Sequence, residues 1–271
     1  MTSREDDALA QAAVAALTGQ LALAPKPGLP DPRDLDARST RREHDRLRWS
    51  ARALVPGLAA MAASARRTGE ATPVLRAELG AIGRCTEHSV GLAGGGHKGA
   101  LWALGFLVAA VALDPRAKAR EIALNTRKIA AFNDKGAPKR PSRGSSISVK
   151  YGAAGARGEA RAGFPHVRRA LDALTAARTA GATENQARLD ALLTVMSTLQ
   201  DTELLYTAGP LGLRQVQAGA REVLEAGGTA TEAGAEALAA MDADLHERGW
   251  SPRGSAGLLA GALFLDALPS L

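Results

Sequence analysis

Residues 183–199 read TENQARLDALLTVMSTL. Leu189, Leu192, Leu193, Met196 and Leu199 recur at helical spacing and share one face of a helix. Thr183 with Gln186 three positions on is a capping box, a helix start worth about 1 kcal/mol. The same pattern recurs outward in both directions. Leu47, Ala51, Leu54, Leu58 and Met61 form one stripe, which Pro56 should kink or break. Leu213, Val216, Ala220 and Val223 form another, and Leu238, Met241 and Leu245 a further one. Thr72-Pro73 fits a cap followed by proline at the first helical position. Thr229 with Glu232 resembles a second capping box, and Gly227-Gly228 suits a left-handed helix stop. The longest apolar stretch, Gly99 to Leu113, is shorter than the ~20 residues of a membrane span and reads as a buried helix. Ile147 to Val149 is the only weak strand candidate. The expectation is an all-α fold, one domain over residues 1–271, with about nine or ten helices and no internal repeat.

Of the 271 residues 46% are apolar but only 3% aromatic, so alanine and leucine must build the core. Each buries modest area at ~25 cal/mol per Å², and stability must be spread over many contacts. The net charge of +6 suits a polyanionic partner, or simply solubility. Aromatics are not interleaved with the basic residues, and no zinc-finger or RNP-type motif occurs, which argues against nucleic acid. The lone Cys85 can form neither an internal disulfide nor a cysteine zinc site, and points to a reducing, cytoplasmic setting. The opening MTSREDDALA is acidic before it is apolar, unlike a secretion signal.

Two stretches break the helical pattern. Ala24 to Glu43 holds four prolines; Asp134 to Gly158 is basic and rich in Gly, Pro and Ser, the composition of a lid or a linker. Around them lie segments able to carry chemistry. In PKPG (25–28), two prolines hold Lys26 rigidly and Gly28 permits a turn, which suits a phosphate or merely a helix entry. In GGGHKGALWALG (94–105), three glycines precede His97, Lys98 and Gly99 at a helix start, a phosphate cradle or a flexible turn, and not a Walker loop. In YGAAGARGEARAGFP (151–165), Arg157 can fork onto phosphate oxygens, and Glu159 can act as a base or hold Mg²⁺. A surface salt bridge is the plainer reading of that pair. Asp201 and Asp242, beside apolar stripes, are candidate metal or ribose ligands or helix-surface acids. In SPRGSAGLLAGALFL (251–265), Ser251, Gly254 and Ser255 open the last helix, for capping or for phosphate. HExxH, GxSxG and GxGxxG motifs are absent.

Taken in order, PKPG, HKGALWALG, YGAAGARGEARAGFP, the Asp201-Thr202 pair and SPRGSAGLLA resemble the triphosphoribosyl-dephospho-CoA synthases, most closely the malonate decarboxylase branch, over residues 8–268. The resemblance implies an all-α enzyme that joins ATP to 3′-dephospho-CoA, releases adenine, and makes a prosthetic group for an acyl-carrier subunit of malonate decarboxylase. It implies Mg²⁺ with ATP. Lys26, Lys98 and Arg157 would neutralise the triphosphate. Glu159, Asp201 and Asp242 would supply base function or metal ligation, Glu159 and Asp201 the latter. The chain departs from the pattern at Gln20, where a glutamate is usual, at Gly95-Gly96, where asparagine-threonine is usual, and at Gly257, where an aspartate is usual. Residues 37–45, ARSTRREHD, keep only Glu43 and Asp45 of the acids expected there. Two other functions therefore stay open: a diverged homologue that binds a nucleotide or CoA-like ligand without turnover, and a nucleic-acid binder acting through the basic loop.

Overall fold

Every regular element among the described residues is helical. The computed structural model describes residues 1–30, 32–34, 38–139 and 142–268. The chain runs α1 (Arg4–Leu21), a short 3₁₀ turn (Pro32–Asp34), α2 (Arg38–Arg52), α3 (Val55–Thr68), α4 (Pro73–Leu92) and α5 (Lys98–Leu113). It continues through α6 (Ala119–Ala130), α7 (Arg143–Tyr151), α8 (Gly155–Arg161), α9 (Pro165–Thr179) and α10 (Glu184–Met196). The last elements are α11 (Thr202–Thr207), α12 (Gly209–Glu225), α13 (Glu232–Arg248) and α14 (Arg253–Asp266). The all-α expectation holds, but the helices outnumber the nine or ten expected, because several are short.

The fold is organised around α5. Its residues from Leu101 to Ala112 are buried on nearly every side except Trp102, the pattern of a helix surrounded by others. It packs against α3, α14, α6 and α4, and touches α1 and α8. Small residues permit this crowding. A Cβ on Gly261 of α14 would sit 2.9 Å from Leu107 Cδ1, too close without movement. The α9–α10 pair and the α12–α13 pair extend the structure beyond α14, and nearly all the buried apolar residues form one continuous cluster. Among the described residues no helix is long and apolar enough to cross a membrane.

Several helix ends fall where the sequence puts them. Thr183 and Gln186 form the capping box of α10. Thr72 accepts from Leu75 N at 3.1 Å. The Leu47–Met61 stripe breaks between α2 and α3, with Pro56 in the first turn of α3. Gly227 and Gly228 both take positive φ. Three expectations fail. Thr229 does not cap α13: Thr231 does, accepting from Gly234 N at 3.0 Å, while the Thr229 hydroxyl donates to Gln186 O. The stretch 134–158 is not one loop: residues 134–139 are irregular, but Ser142 caps α7, Gly152 ends it at φ 65°, and α8 starts at Gly155. Ile147 to Val149 lies within α7 and is helical. Arg140 and Pro141 of that stretch, and Ala37 of the 37–45 segment, lie outside the described residues.

Leu104 is fully buried at the middle of α5, and Leu211 is 71% exposed. Leu104→Ala should lower unfolding free energy by about 2–5 kcal/mol in urea titrations. Leu211→Ala should change it by less than about 0.5 kcal/mol.

Candidate functional site

The start of α5 is the focus of the site. Gly94, Gly95 and Gly96 take φ of 102°, 72° and 127°, a path that side-chain-bearing residues rarely follow. It delivers His97 to α2, where Nε2 donates to Leu47 O at 2.8 Å. The ring is buried, and burial pushes its pKa down; the Leu47 hydrogen bond opposes that shift and nearby Arg253 adds to it. His97 is thus a neutral ring that anchors α5 to α2, a structural role beside the phosphate contact expected of it. Lys98 and Gly99, by contrast, face solvent. Lys98 shares an open cleft of about 390 Å³ with Arg84, Glu87 and His88 of α4. Glu87 is occupied in accepting from Trp102 Nε1 at 2.7 Å. First-turn N–H groups and Lys98 together make the mouth of α5 electropositive.

Helix α14 starts against the same spot. The Cβ direction of Gly257 lies 3.4 Å from Ala100 N, so an aspartate there would point at the first-turn amides of α5. Asp201 holds the two neighbouring helix starts together. Its Oδ1 accepts from Glu203 N at 2.9 Å, and its Oδ2 from Ser255 N at 3.0 Å and the Ser255 hydroxyl at 3.3 Å. A Cβ on Gly254 would come within 2.9 Å of both carboxylate oxygens, which is why this position has no side chain. Burial pushes the Asp201 carboxyl up, with partial relief from the N–H donors of Ser255, Glu203 and Leu204. Asp201, Gly254 and Ser255 therefore form one structural bracket. Ser251, just before it, has a buried hydroxyl with no partner.

The PKPG turn is also engaged internally. Lys26 is buried, and its ammonium donates to Gln20 O at 3.1 Å and Leu21 O at 3.4 Å, at the C-terminal end of α1. Gly28 N donates to Asp242 Oδ1 at 3.1 Å, and Arg33 donates to Asp242 Oδ2 at 2.6 Å. His246 lies 3.0 Å from the same carboxylate. Asp242 fastens this turn to α13.

Glu159 has a different setting. It is buried on α8, with Oε1 2.7 Å from His166 Nδ1 and Oε2 accepting from His166 N at 3.4 Å. Phe164 makes the junction between α8 and α9 in a left-handed conformation, φ 47°, its N–H bonded to Glu159 O at 2.7 Å. Since a carboxylate only accepts, His166 Nδ1 carries a proton, and in the neutral ring Nε2 then keeps a lone pair. That Nε2 is buried without a partner. His166 was missed in the sequence, although GFPH directly follows the Glu159 motif. Arg157, expected on phosphate, is exposed and donates to Asn133 Oδ1 at 3.1 Å.

The structure thus joins Asp201 with Gly254 and Ser255, and Gly28 with Asp242, but gives the three carboxylates separate partners. Among the described residues no group of three His, Cys, Asp or Glu is placed to hold a metal ion. Glu159 bonds to His166, and Asp201 to Ser255 and Glu203.

A family model described as ATP:dephospho-CoA triphosphoribosyl transferase matches residues 6–271. The chain belongs to this family. It is a transferase, and relatives named as probable 2-(5″-triphosphoribosyl)-3′-dephosphocoenzyme-A synthases match across nearly its whole length. One from Stutzerimonas stutzeri (strain A1501) is 45% identical over 96% of this chain and 91% of its own. One from Pseudomonas putida is 44% identical over 98% and 96%, and one from Azotobacter vinelandii 45% over 96% and 90%. No solved structure matches.

The His97 anchor has a pH consequence. Its folded pKa lies below the ordinary value, so the unfolded chain takes up the proton more readily. The contribution of His97 to stability is full above about pH 6.5 and is lost as pH falls below it. Denaturation midpoints should drop between pH 7.5 and 5.5, and drop less in His97→Asn.

Proposed function

We propose that this transferase joins the triphosphoribosyl part of ATP to the 2′-hydroxyl of 3′-dephospho-CoA, with adenine leaving. The observation that carries the reading is the family match over residues 6–271. The electropositive mouth of α5, where Lys98 stands beside free helix-start amides, supports it. In the reaction the 2′-oxygen bonds to C1′ of the ATP ribose while the C1′–N9 bond breaks, and its electrons stay on adenine, which takes up a proton. Nothing is hydrolysed, so the triphosphate serves only as a handle for binding.

The incoming hydroxyl must lose its proton. His166 Nε2 suits this step: it offers a lone pair in a buried position, and Glu159 fixes the tautomer from the other side of the ring. As the ring gains the proton, the Glu159 carboxylate stabilises the resulting cation. Glu159 so becomes the partner of the base, while Asp201 and Asp242 build the site without touching substrate. We assign Mg²⁺ to the triphosphate, entering with ATP, since Mg²⁺ is commonly bound through substrate phosphates with few protein ligands. The product would supply the prosthetic group of an acyl-carrier subunit, that of malonate decarboxylase, and the work would take place in the cytoplasm.

Purified protein with ATP, Mg²⁺ and 3′-dephospho-CoA should release adenine and form an adduct heavier by the triphosphoribosyl group. His166→Asn and Glu159→Gln should each lower kcat by about 10²–10⁴-fold. Folded protein that binds ATP but yields no adenine would instead be a homologue that binds without turnover.

A further inference from the structure

Beside the cleft of α4 and α5 lies a group of four arginines, of which the sequence motifs single out Arg157 alone. Arg76 and Arg84 project from α4, and Arg157 and Arg161 from α8. All four surround the end of α6. Arg84 Nη1 pairs with Asp134 Oδ2 at 2.6 Å, and Arg76 Nη1 stands 3.5 Å from the same oxygen. Arg157 and Arg161 both donate to Asn133 Oδ1, at 3.1 and 3.0 Å, and Arg161 Nε donates to Ala130 O. Two cations share one neutral acceptor and the other two share one carboxylate. Among the described residues, Asp134 is the only acid in ion-pair reach of any of the four.

The group is built rather than incidental. The Asp134 side chain is itself buried, and it fits because Gly80 of α4 lacks a Cβ, which would collide with its carboxylate. Arg76 is nine-tenths buried, with its guanidinium over the Phe106 ring at 5.3 Å, and its Nη1 has no hydrogen-bond partner. Burial pulls the Arg76 pKa down; Asp134 pushes back, and Arg157, Arg84 and Arg161 lower it further. A guanidinium remains charged at neutral pH despite such a shift. Four like charges with one acid among them cost free energy unless an anion completes the set. The bonds to Asp134, Asn133 and Ala130 use one or two donors of each anchored guanidinium and leave most N–H donors for a ligand.

We propose that Arg76, Arg84, Arg157 and Arg161 form the subsite for the triphosphate of ATP, continuous with Lys98 through Arg84. This rests on the reading of the reaction given above. Arg84 belongs both to the arginine group and to the cleft lined by Lys98, so a chain of phosphates can run from one to the other. Charge selects the ligand. A terminal triphosphate is a denser anion than the internal diphosphate of dephospho-CoA, and a surplus of several guanidinium groups matches the denser one. The triphosphate is carried unchanged into the product, so a rigid, strong site does no harm to the chemistry.

Inorganic tripolyphosphate is the direct probe, titrated calorimetrically into the whole protein at fixed ionic strength. Arg84→Gln and Arg161→Gln should each weaken its binding by about tenfold or more. Arg120→Gln, which removes a surface arginine paired with Asp172, should leave binding unchanged. In the enzyme assay the first two variants should raise KM for ATP and leave KM for 3′-dephospho-CoA as it was. Equal tripolyphosphate affinity in wild type, Arg84→Gln and Arg161→Gln would overturn the subsite, as would an equal loss in Arg120→Gln. Arginine-dependent tripolyphosphate binding by a protein that releases no adenine would uphold the subsite and refute the proposed reaction.

Discussion

The burial of α5 is the constraint on which the rest depends. A helix covered on nearly all sides cannot shift without disturbing α3, α4, α6 and α14 together. Its start is therefore a fixed point, and Lys98 and the first-turn amides stand on it. With so few aromatics, that rigidity comes from many small contacts, and the close approach of α14 at Gly261 is one of them. The cationic mouth is rigid because the far end of the same helix is core.

Around this point, polar groups buried in the protein act mainly as fasteners. His97 ties the α5 start to α2, Asp201 ties α11 to α14, and Asp242 ties the PKPG turn to α13. Each is a residue whose type suggests catalysis and whose bonds also join two elements. A buried carboxylate with both oxygens on N–H donors is a stable junction, since stranding those donors would cost about 1–3 kcal/mol each. Glu159 differs because its partner, His166, still has an unused nitrogen. The contrast separates a group that holds the site from one able to move a proton.

The helical class was legible because stripes, caps and stops agreed, as at Thr183 with Gln186 and at Pro56. The region after α6 was not legible. Its Gly, Ser and basic residues read as loop, yet Ser142 and Gly152 bracket a single short helix, a pattern too brief for periodicity to reveal. Thr229 was misread because another threonine two positions on makes the cap. In the site, Glu159 stood out between glycines, but its pairing with His166 depends on the turn at Phe164. Arg76 and Arg84 belong to no motif, and only the fold brings Arg157, Arg161 and Asp134 to them.

Hydrogen exchange of the backbone, followed with and without ATP, tests most directly whether the start of α5 is where substrate sits. Helix-start amides lack internal partners and exchange fast when free. ATP should slow exchange in residues 97–101 and 155–162, with little change in the PKPG turn. Protection confined to residues 24–30, with 97–101 exchanging as before, would place the nucleotide elsewhere and contradict the account.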